Sequence, residues 1–338
     1  MSRRETSELG AALAGQHALL FVNFHHVRGA NPTEFPRLHY RTPAQLREQI
    51  RELSRSFEFA TPQQVREIVQ GRCPLETDLC VLTFDDGLRD HYDHVAPLLA
   101  ELGLTGVFCV NTGPWEDGRL LSVHMAHLLS ARYAYSELAA DFEAAAAACG
   151  LPHRISDVSA ESADTVYRYD DSATRRVKYF LNLLIPQAAR ADVLRRVFSQ
   201  RIGSESEHVE RHYLGPGMVR ELRSAGNEIG LHSHRHLNLA SETPEGRRSD
   251  LATNRRLLCE ALGVGAEELH WISYPYGSPL SYDEQVVSDA RAVGCDTGLT
   301  MRRGLNVPPE VASMLLKRVD TNDVVGGKAP LPWSQLAA

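Results

Sequence analysis

Apolar runs and amphipathic segments alternate in two separate parts of the chain. In the first part, the apolar runs predict strands at residues 18–24, 57–60, 79–84 and 106–110. Two of the helices between them begin at Thr42-Pro43 and Thr61-Pro62, and a third is predicted over 88–102. A threonine N-cap followed by proline at the first helical position is typical of a helix start. This alternation favours parallel strands joined by helical crossovers.

The same alternation returns near the C-terminus. Strands are predicted at residues 228–231, 271–274, 295–300 and 314–319, and helices at 218–225, 243–262 and 282–293. Between the two parts, residues 112–215 lose the strand pattern and carry helical segments. The sequence therefore predicts an α/β domain in two pieces, 15–111 and 216–325, a helical insertion or cap at 112–215, and a C-terminal tail at 326–338. An insertion into such a fold is expected on the loop side that carries function.

Charge and hydrophobicity restrict the partners that the chain can have. The 338 residues include 36 Lys and Arg against 43 Asp and Glu, a formal net charge of -7. An acidic chain lacks the positive field that attracts nucleic acids or anionic lipid. The apolar run at 18–24 is too short for a signal peptide, and no run reaches the roughly 18 apolar residues of a membrane span. We therefore expect a cytoplasmic protein that binds neither nucleic acid nor membranes.

Two acidic residues follow the predicted strand at 79–84. Asp85 and Asp86 leave the carboxyl end of a buried strand, which is where ligands bind in α/β folds. Two buried carboxylates repel each other unless a metal ion or a proton offsets their charge. One of them could instead be the N-cap of the following helix, a role for which a single Asp suffices.

Three histidines follow the predicted strand at 228–231. His232 and His236 are four residues apart, which on a helical turn directs both imidazoles to one side and suits a shared divalent ion. Together with an Asp from the matching strand end, they leave coordination positions open for water and substrate, as a catalytic site requires. His234 is expected on the other face.

These motifs resemble those of a known family. Thr83-Phe84-Asp85-Asp86-Gly87 and His232-Ser233-x-x-His236 look like the first two signature motifs of the NodB-type polysaccharide deacetylases, metal-dependent hydrolases of N-acetyl groups. Tyr274-Pro275-Tyr276-Gly277 is similar to the Pro-Tyr loop of that family. The resemblance covers residues 18–110 and 217–319 and leaves the helical insertion outside it.

The resemblance implies a distorted (β/α)7-type barrel and a division of roles at its site. By this analogy Asp85 is the general base, and the backbone N–H of Tyr276, beside Pro275, helps to hold the oxyanion. The implied metal ligands are Asp86, His232 and His236. Zn²⁺ is the first choice of ion, with Ni²⁺, Co²⁺, Mn²⁺ and Fe²⁺ as alternatives.

The chain departs from the family pattern in two respects. Ser273 stands where the third motif usually carries the arginine that orients the catalytic Asp, and Arg318 at a late strand end could supply that charge instead. The C-terminal Leu-x-His motif, the usual source of the catalytic acid, is missing. The run Asn23-Phe24-His25-His26-Val27 is similar to an early element of the poly-N-acetylglucosamine deacetylase branch, where the acid lies upstream. We therefore predict His25 as the acid, with His26 as the alternate acid or a substrate contact; a histidine that only caps the strand is the competing interpretation.

Together these features predict a metal-dependent N-deacetylase that hydrolyses the acetamide of an N-acetyl amino sugar. The expected cytoplasmic location favours a soluble substrate, such as a nucleotide-linked sugar, a glycan precursor, an oligosaccharide or an amino-sugar metabolite. Two alternatives remain open. One is a hydrolase of another amide, a formamide or a cyclic ureide, on the same scaffold. The other is a non-catalytic sugar-binding relative.

Overall fold

Eight strands form the sheet of this protein, whose computed structural model describes residues 8–29, 34–166, 171–307 and 314–337. Numbered β1 to β8 in chain order, the strands cover Leu19–Phe24, Glu58–Phe59, Leu79–Phe84, Gly106–Val110, Glu228–Leu231, Trp271–Ser273, Thr297–Leu299 and Val319–Asp320. All paired strands are parallel, in the order β7-β6-β5-β4-β3-β1-β8, with β2 beside the start of β3. The two predicted zones of alternating strands and helices therefore build one sheet.

Backbone hydrogen bonds bring the two ends of the sheet together. Leu316 N donates to the Gly298 carbonyl (2.8 Å), and Thr300 N donates to the Leu316 carbonyl (2.9 Å), so the end of β7 is tied to the segment before β8. Gly298 permits this approach, because a Cβ there would collide with the carbonyl group of Met314. The sheet curls into a distorted α/β barrel, as the family resemblance implied.

Side chains of successive strand residues alternate between two apolar clusters. Leu20 and Val22 pack with the surrounding helices, whereas Leu19 and Phe21 join a second cluster that also receives residues from β3, β4, β6 and β7. Because five strands contribute to it, this second cluster lies inside the barrel. All residues of β1 and β3 are buried, which explains their continuous apolar runs.

The chain divides into two compact units. The first contains the described residues of 1–29, 40–116 and 212–338 and includes the whole sheet; the second contains those of 30–39 and 117–211. Helices of the first unit cover Glu8–Ala12, Pro43–Leu53, Pro62–Val69, Ala96–Leu102, Pro216–Ser224, Pro244–Leu262, Glu284–Ala292 and Trp333–Leu336, with a π-helical turn at His91–Val95 and 3-10 turns at Leu239–Ser241 and Ala266–Glu268.

The second unit is helical throughout its described residues. Its helices cover Ser122–Arg132, Tyr135–Ala148, Ala160–Val166, Ser172–Tyr179 and Gln187–Arg201, with a 3-10 turn at Ile155–Asp157 and a π-helical turn at Phe180–Leu184. The short helices Gly113–Asp117 and Ser206–His212 lie where the chain passes from one unit to the other. Phe142, Phe180 and Phe198 are fully buried and supply its core. Among the helices that the structure describes in either unit, none is both long and apolar enough to cross a membrane.

Two predicted elements differ from the observed ones. The helix predicted at 88–102 is an α-helix only over Ala96–Leu102, after the π-helical turn His91–Val95. The strand predicted at 314–319 is reduced to β8, because the backbone of Lys317 bonds to a side chain instead of a strand. Asn306 accepts from Lys317 N (2.8 Å) and donates to its carbonyl (2.9 Å).

Residues 326–338, which the sequence separates as a tail, contain the helix Trp333–Leu336. The Trp333 ring lies 5.2 Å from the Phe57 ring, and Leu336 is fully buried. This segment therefore belongs to the packed core of the first unit.

Candidate active site and metal centre

The acidic turn after β3 carries both carboxylates into the protein interior. Asp85 and Asp86 are buried, and Asp86 has a φ of 77°, in the left-handed region. Gly87 follows with a φ of +60°, and a Cβ there would lie 2.9 Å from the Val110 side chain. The turn thus requires glycine at this position. It also sends the two neighbouring carboxylates to different partners.

Asp86 meets the two histidines of the loop after β5. Its Oδ1 lies 3.2 Å from His232 Nε2 and 3.4 Å from His236 Nε2, and all three side chains are buried. In a tetrahedral zinc site with bonds of about 2.0 to 2.2 Å, neighbouring ligand atoms lie about 3.3 Å apart. These separations and the nitrogen and oxygen donors fit a divalent ion such as zinc, with coordination positions left for water and substrate.

Hydrogen bonding determines which nitrogen of His232 faces Asp86. His232 Nδ1 lies 2.7 Å from the Ser273 carbonyl oxygen, which can only accept, so Nδ1 carries the hydrogen. Nε2 of the neutral ring then directs a lone pair at the Asp86 carboxylate. Burial disfavours a charged His232, but the Asp85 and Asp86 carboxylates outweigh it and raise its pKa. Two acceptors that face each other require a cation between them, either a proton or a metal ion.

Three polar side chains hold the histidine loop in place. Asp250 accepts from two consecutive backbone N–H groups of the loop, at 2.8 and 3.1 Å. One helical turn further on, Asn254 accepts from His232 N at 3.1 Å. Asn111, just after β4, donates to the carbonyl of Ser233 at 2.9 Å and also to that of His232. The positions of the histidines are therefore fixed by two neighbouring elements of the barrel.

Backbone strain is concentrated around this centre. Among the described residues other than glycine, five have a positive φ, and four of them are Asp86, Ser233, His236 and Tyr276. Each such conformation costs on the order of 1–3 kcal/mol and persists only where the surroundings hold it. Strain of this kind clusters at functional sites, and here it coincides with the candidate metal ligands.

Asp85 forms a buried bidentate ion pair with Arg318. The guanidinium Nη1 lies 3.0 Å from Oδ1, and Nη2 lies 2.7 Å from Oδ2. Ser273 Oγ donates to Asp85 Oδ2 (3.0 Å) and accepts from Arg318 Nη2 (2.8 Å). Burial opposes the ionisation of Asp85, but Arg318 and His232 outweigh it and hold the pKa of Asp85 well below its usual range. Asp85 is therefore an ionised carboxylate at neutral pH.

Arg318 is itself held by groups from the neighbouring strands. Its Nε donates to the Thr300 carbonyl (2.9 Å), and its Nη1 donates to Asn23 Oδ1 (2.9 Å). Asn23 also accepts from Thr83 Oγ1 (3.2 Å). The side chain is fully buried, so its planar fork has a single orientation toward Asp85.

The adjacent histidines at the end of β1 have different surroundings. His25 Nε2 lies 4.0 Å from Asp86 Oδ2, and 41% of its side chain is exposed, so His25 borders the candidate metal centre. His26 is buried and its Nδ1 donates to Asp90 Oδ2 at 3.2 Å. His26 thus makes a structural contact, and His25 is the histidine of the pair that the structure brings to Asp86.

The loop after β6 places an aromatic ring against one of the candidate metal ligands. The Tyr276 ring lies 4.8 Å from the His236 ring in an edge-to-face arrangement, and its side chain is exposed. Pro275 is buried, and a Cβ at Gly277 would lie 2.6 Å from Met301 N. The chain therefore turns sharply here and leaves Tyr276 at the edge of the site.

Several supporting residues lack a signal in the sequence. Asn111, Asp250 and Asn254 belong to no recognisable sequence motif. Their supporting role is visible only in the structure, where they lie just after the neighbouring strand and on the helix next to the histidine loop. His234 contacts Thr112 Oγ1 (2.9 Å) and Glu116 (3.3 Å) and is not part of the candidate ligand set.

Comparison with known proteins supports the resemblance. Residues 163–298 match the model of a family described as Polysaccharide deacetylase. This stretch includes His232, His236 and Tyr276 and begins after Asp85 and Asp86. No curated protein sequence matches the chain.

Solved structures share the fold. Deacetylase PplD of Streptococcus pyogenes, in complex with acetate, is 14% identical with a TM-score of 0.57, and the match covers 96% of this chain and 99% of that one. IcaB from Ammonifex degensii is 16% identical with a TM-score of 0.57, covering 94% and 97%. The BpsB deacetylase domain from Bordetella bronchiseptica is 21% identical with a TM-score of 0.51, covering 91% and 97%. The family match over residues 163–298 and the shared fold confirm the resemblance to polysaccharide deacetylases that the motifs predicted.

Proposed function

We propose that the protein is a metal-dependent N-deacetylase that removes the acetyl group from an N-acetyl amino sugar. One observation carries this proposal. A three-ligand centre of Asp86, His232 and His236 lies beside a second carboxylate, Asp85, that Arg318 keeps ionised. A site with three protein ligands leaves room for water and substrate, and a neighbouring ionised carboxylate provides a base.

Amide hydrolysis needs an activated water, a stabilised oxyanion and a proton for the departing amine. A divalent ion held by the three ligands supplies Lewis acidity and lowers the pKa of a bound water. Asp85 is the base that accepts the proton of the attacking water, because its carboxylate is ionised and fixed on two sides by Arg318 and Ser273. The buried ion pair also prevents Asp85 from turning toward the metal ligands.

The remaining roles fall to residues at the edge of the site. His25 is the acid that gives a proton to the amine, since its Nε2 faces Asp86 and its ring is open to an incoming substrate. The backbone N–H of Tyr276 stabilises the oxyanion, and its exposed ring offers an apolar face on which a pyranose can stack. Both assignments follow the family resemblance.

The proposed substrate is an N-acetyl amino sugar, supported by the family match and by relatives whose names identify them as deacetylases. The proposal has two versions: the sugar is either a soluble molecule or part of a polymer. A soluble cytoplasmic substrate is the version that we propose from the sequence. Cell fractionation and a comparison of soluble with polymeric substrates test it.

The test is an acetate-release assay with the zinc-loaded protein. It should include free and nucleotide-linked N-acetylglucosamine, N-acetylglucosamine oligomers and an insoluble N-acetylated polymer. We expect Asp85→Asn to reduce turnover by about 10²- to 10⁴-fold while zinc stays bound, and His236→Ala to lose the zinc. Asp93→Asn is the matched control, because Asp93 is an exposed residue in the turn that follows the acidic pair.

Two outcomes would contradict the proposal. Full turnover of Asp85→Asn would remove Asp85 from the role of base. A wild-type protein that binds no stoichiometric divalent ion and releases no acetate, and whose sugar binding is unchanged in Asp86→Asn, would be a sugar-binding relative instead of an enzyme.

A further inference from the structure

Two consecutive residues beyond the acidic turn contact two consecutive residues at the end of β1. His91 Nε2 lies 2.9 Å from the carbonyl oxygen of His25, and Asp90 Oδ2 lies 3.2 Å from Nδ1 of His26. We propose that Asp90 and His91 are positioning residues that fix the His25 carbonyl and the following residue, His26, and so direct the His25 imidazole to the reacting centre. The proposal rests on the function proposed above.

His91 occupies a position where a polar ring is costly. It begins the π-helical turn His91–Val95 and is fully buried, with its ring 5.5 Å from that of Phe84 and 5.8 Å from that of Phe108. An apolar side chain would pack between these rings without the loss of hydration. π-Helical turns occur often at functional sites.

The hydrogen bond to His25 determines the state of the His91 ring. A carbonyl oxygen only accepts, so Nε2 of His91 carries the hydrogen. Burial lowers the pKa of His91 to about 4, and the ring is neutral at pH 7. Nδ1 is then a buried acceptor, and it has no hydrogen-bond partner among the described residues. An unsatisfied buried polar atom costs roughly 1–3 kcal/mol. The bond to His25 is the contact that accounts for a histidine here.

Asp90 fixes the residue that follows His25. It is buried and accepts two hydrogen bonds from Arg28, both of 2.9 Å, as well as the bond from His26. These partners outweigh the effect of burial and keep the pKa of Asp90 well below its usual range, so it is ionised. Arg41 extends the support, because its N donates to the His26 carbonyl (2.9 Å) and its carbonyl accepts from Arg28 N (2.9 Å).

The side chain of His25 depends on this backbone support. Its ring is 41% exposed, and the carboxylate that it faces is 4.0 Å away, beyond the length of a hydrogen bond. The peptide group before His25 is fixed as well, because Asp85 N donates to the Phe24 carbonyl (3.1 Å), and the Cα–Cβ bond of His25 therefore keeps one direction. A misplacement of about 1 Å at a reacting group can reduce the rate about 10²-fold.

The test compares His91→Leu, which removes the donor, with His91→Gln, which retains an N–H donor. In the zinc-loaded protein we expect His91→Leu to reduce kcat about 10- to 100-fold with little change in KM or zinc content, and to shift the limb of the pH profile that depends on the acid. His91→Gln should recover a large part of kcat. A purely structural role would lower stability in both variants alike and leave the pH profile unchanged.

A second measurement makes the proposal independent of the substrate. NMR of the His25 imidazole, assigned with His25→Asn, reports the environment of the ring with or without turnover. We expect the His25 signal to shift and broaden in His91→Leu and Asp90→Asn, and to remain unchanged in the control Asp93→Asn. If wild-type protein releases no acetate yet the signal responds in this way, the proposed function fails and the positioning role stands. An unchanged His25 signal with unchanged kcat in Asp90→Asn, and in His91→Leu where that variant folds, overturns the positioning role.

Discussion

The buried ion pair of Asp85 and Arg318 stabilises the site only while both partners are present. Both side chains are almost completely inaccessible, and the pair has two short contacts of 2.7 and 3.0 Å. Removing one partner of a buried pair leaves an uncompensated charge, which costs about 3–5 kcal/mol. The same contacts that prepare Asp85 for proton transfer therefore also make the site depend on Arg318.

We predict that Arg318→Met lowers the free energy of unfolding by about 3–5 kcal/mol. Urea unfolding of the variant and of wild type measures this difference in free energy. The double variant Asp85→Asn with Arg318→Met should be more stable than Arg318→Met alone, because no charge is then left buried. Arg303→Met is the control: Arg303 pairs with Asp323 but is 57% exposed, and exposed pairs contribute about 0–1 kcal/mol. Equal losses in Arg318→Met and Arg303→Met would show that the buried pair is not stabilising.

The depressed pKa of Asp85 predicts how stability depends on pH. Asp85 titrates near 3.9 in the unfolded chain and lower in the folded protein, so its contribution to stability is full above about pH 5 and is lost as the pH falls toward the folded pKa. In metal-free protein, the difference in unfolding free energy between wild type and Asp85→Asn should be constant from pH 7 to 5 and shrink below pH 4. A difference that grows on acidification would contradict the ion pair.

At the scale of secondary structure elements, the sequence predicts an element correctly where residues close in sequence make its backbone hydrogen bonds. Thr42 Oγ1 accepts from Gln45 N at 3.1 Å, and the helix Pro43–Leu53 begins where the Thr-Pro pair predicts it. The segment before β8 was predicted as a strand from its apolar residues. Within it, Leu316 still bonds to the end of β7, but the backbone of Lys317 bonds to the side chain of Asn306, which is close in space and has no local signal. The conformation of such a segment depends on contacts with residues that are not its neighbours in sequence.

The turn after β3 is the element on which the metal centre depends most. Gly87 and Gly103 both have left-handed backbones, with φ of +60° and +67°, but a Cβ at Gly87 would lie 2.9 Å from Val110 and one at Gly103 would meet nothing within 4 Å. We predict that Gly103→Ala costs about 1–2 kcal/mol from backbone strain alone. Gly87→Ala should cost clearly more and also lower zinc occupancy, because it displaces Asp86. Thermal unfolding and metal analysis of the two variants compare them; equal effects would refute the steric requirement.

At the scale of the whole molecule, the site is the polar end of the barrel interior. Along β1 the inward side chains run Leu19, Phe21, Asn23, and the apolar core thus gives way to the groups that hold Arg318. The motifs identify site residues that occur as a pair or a triplet directly after a strand. Single residues such as Asn23 and Ser273 could not be predicted, because their role follows from the closure of the sheet, which brings strands from opposite ends of the chain around Arg318.

Because the candidate ligands come from two distant strand ends, a bound ion should stabilise the whole fold. An ion that binds only the folded state at 100 times its Kd adds about 2.7 kcal/mol to the free energy of unfolding. We predict that zinc raises the thermal midpoint of chelator-treated wild-type protein by several degrees and has no effect on His236→Ala. His234→Ala, a change in the same loop whose side chain contacts Thr112 and Glu116, should keep the full response. An equal response of His236→Ala would place the ion elsewhere in the protein.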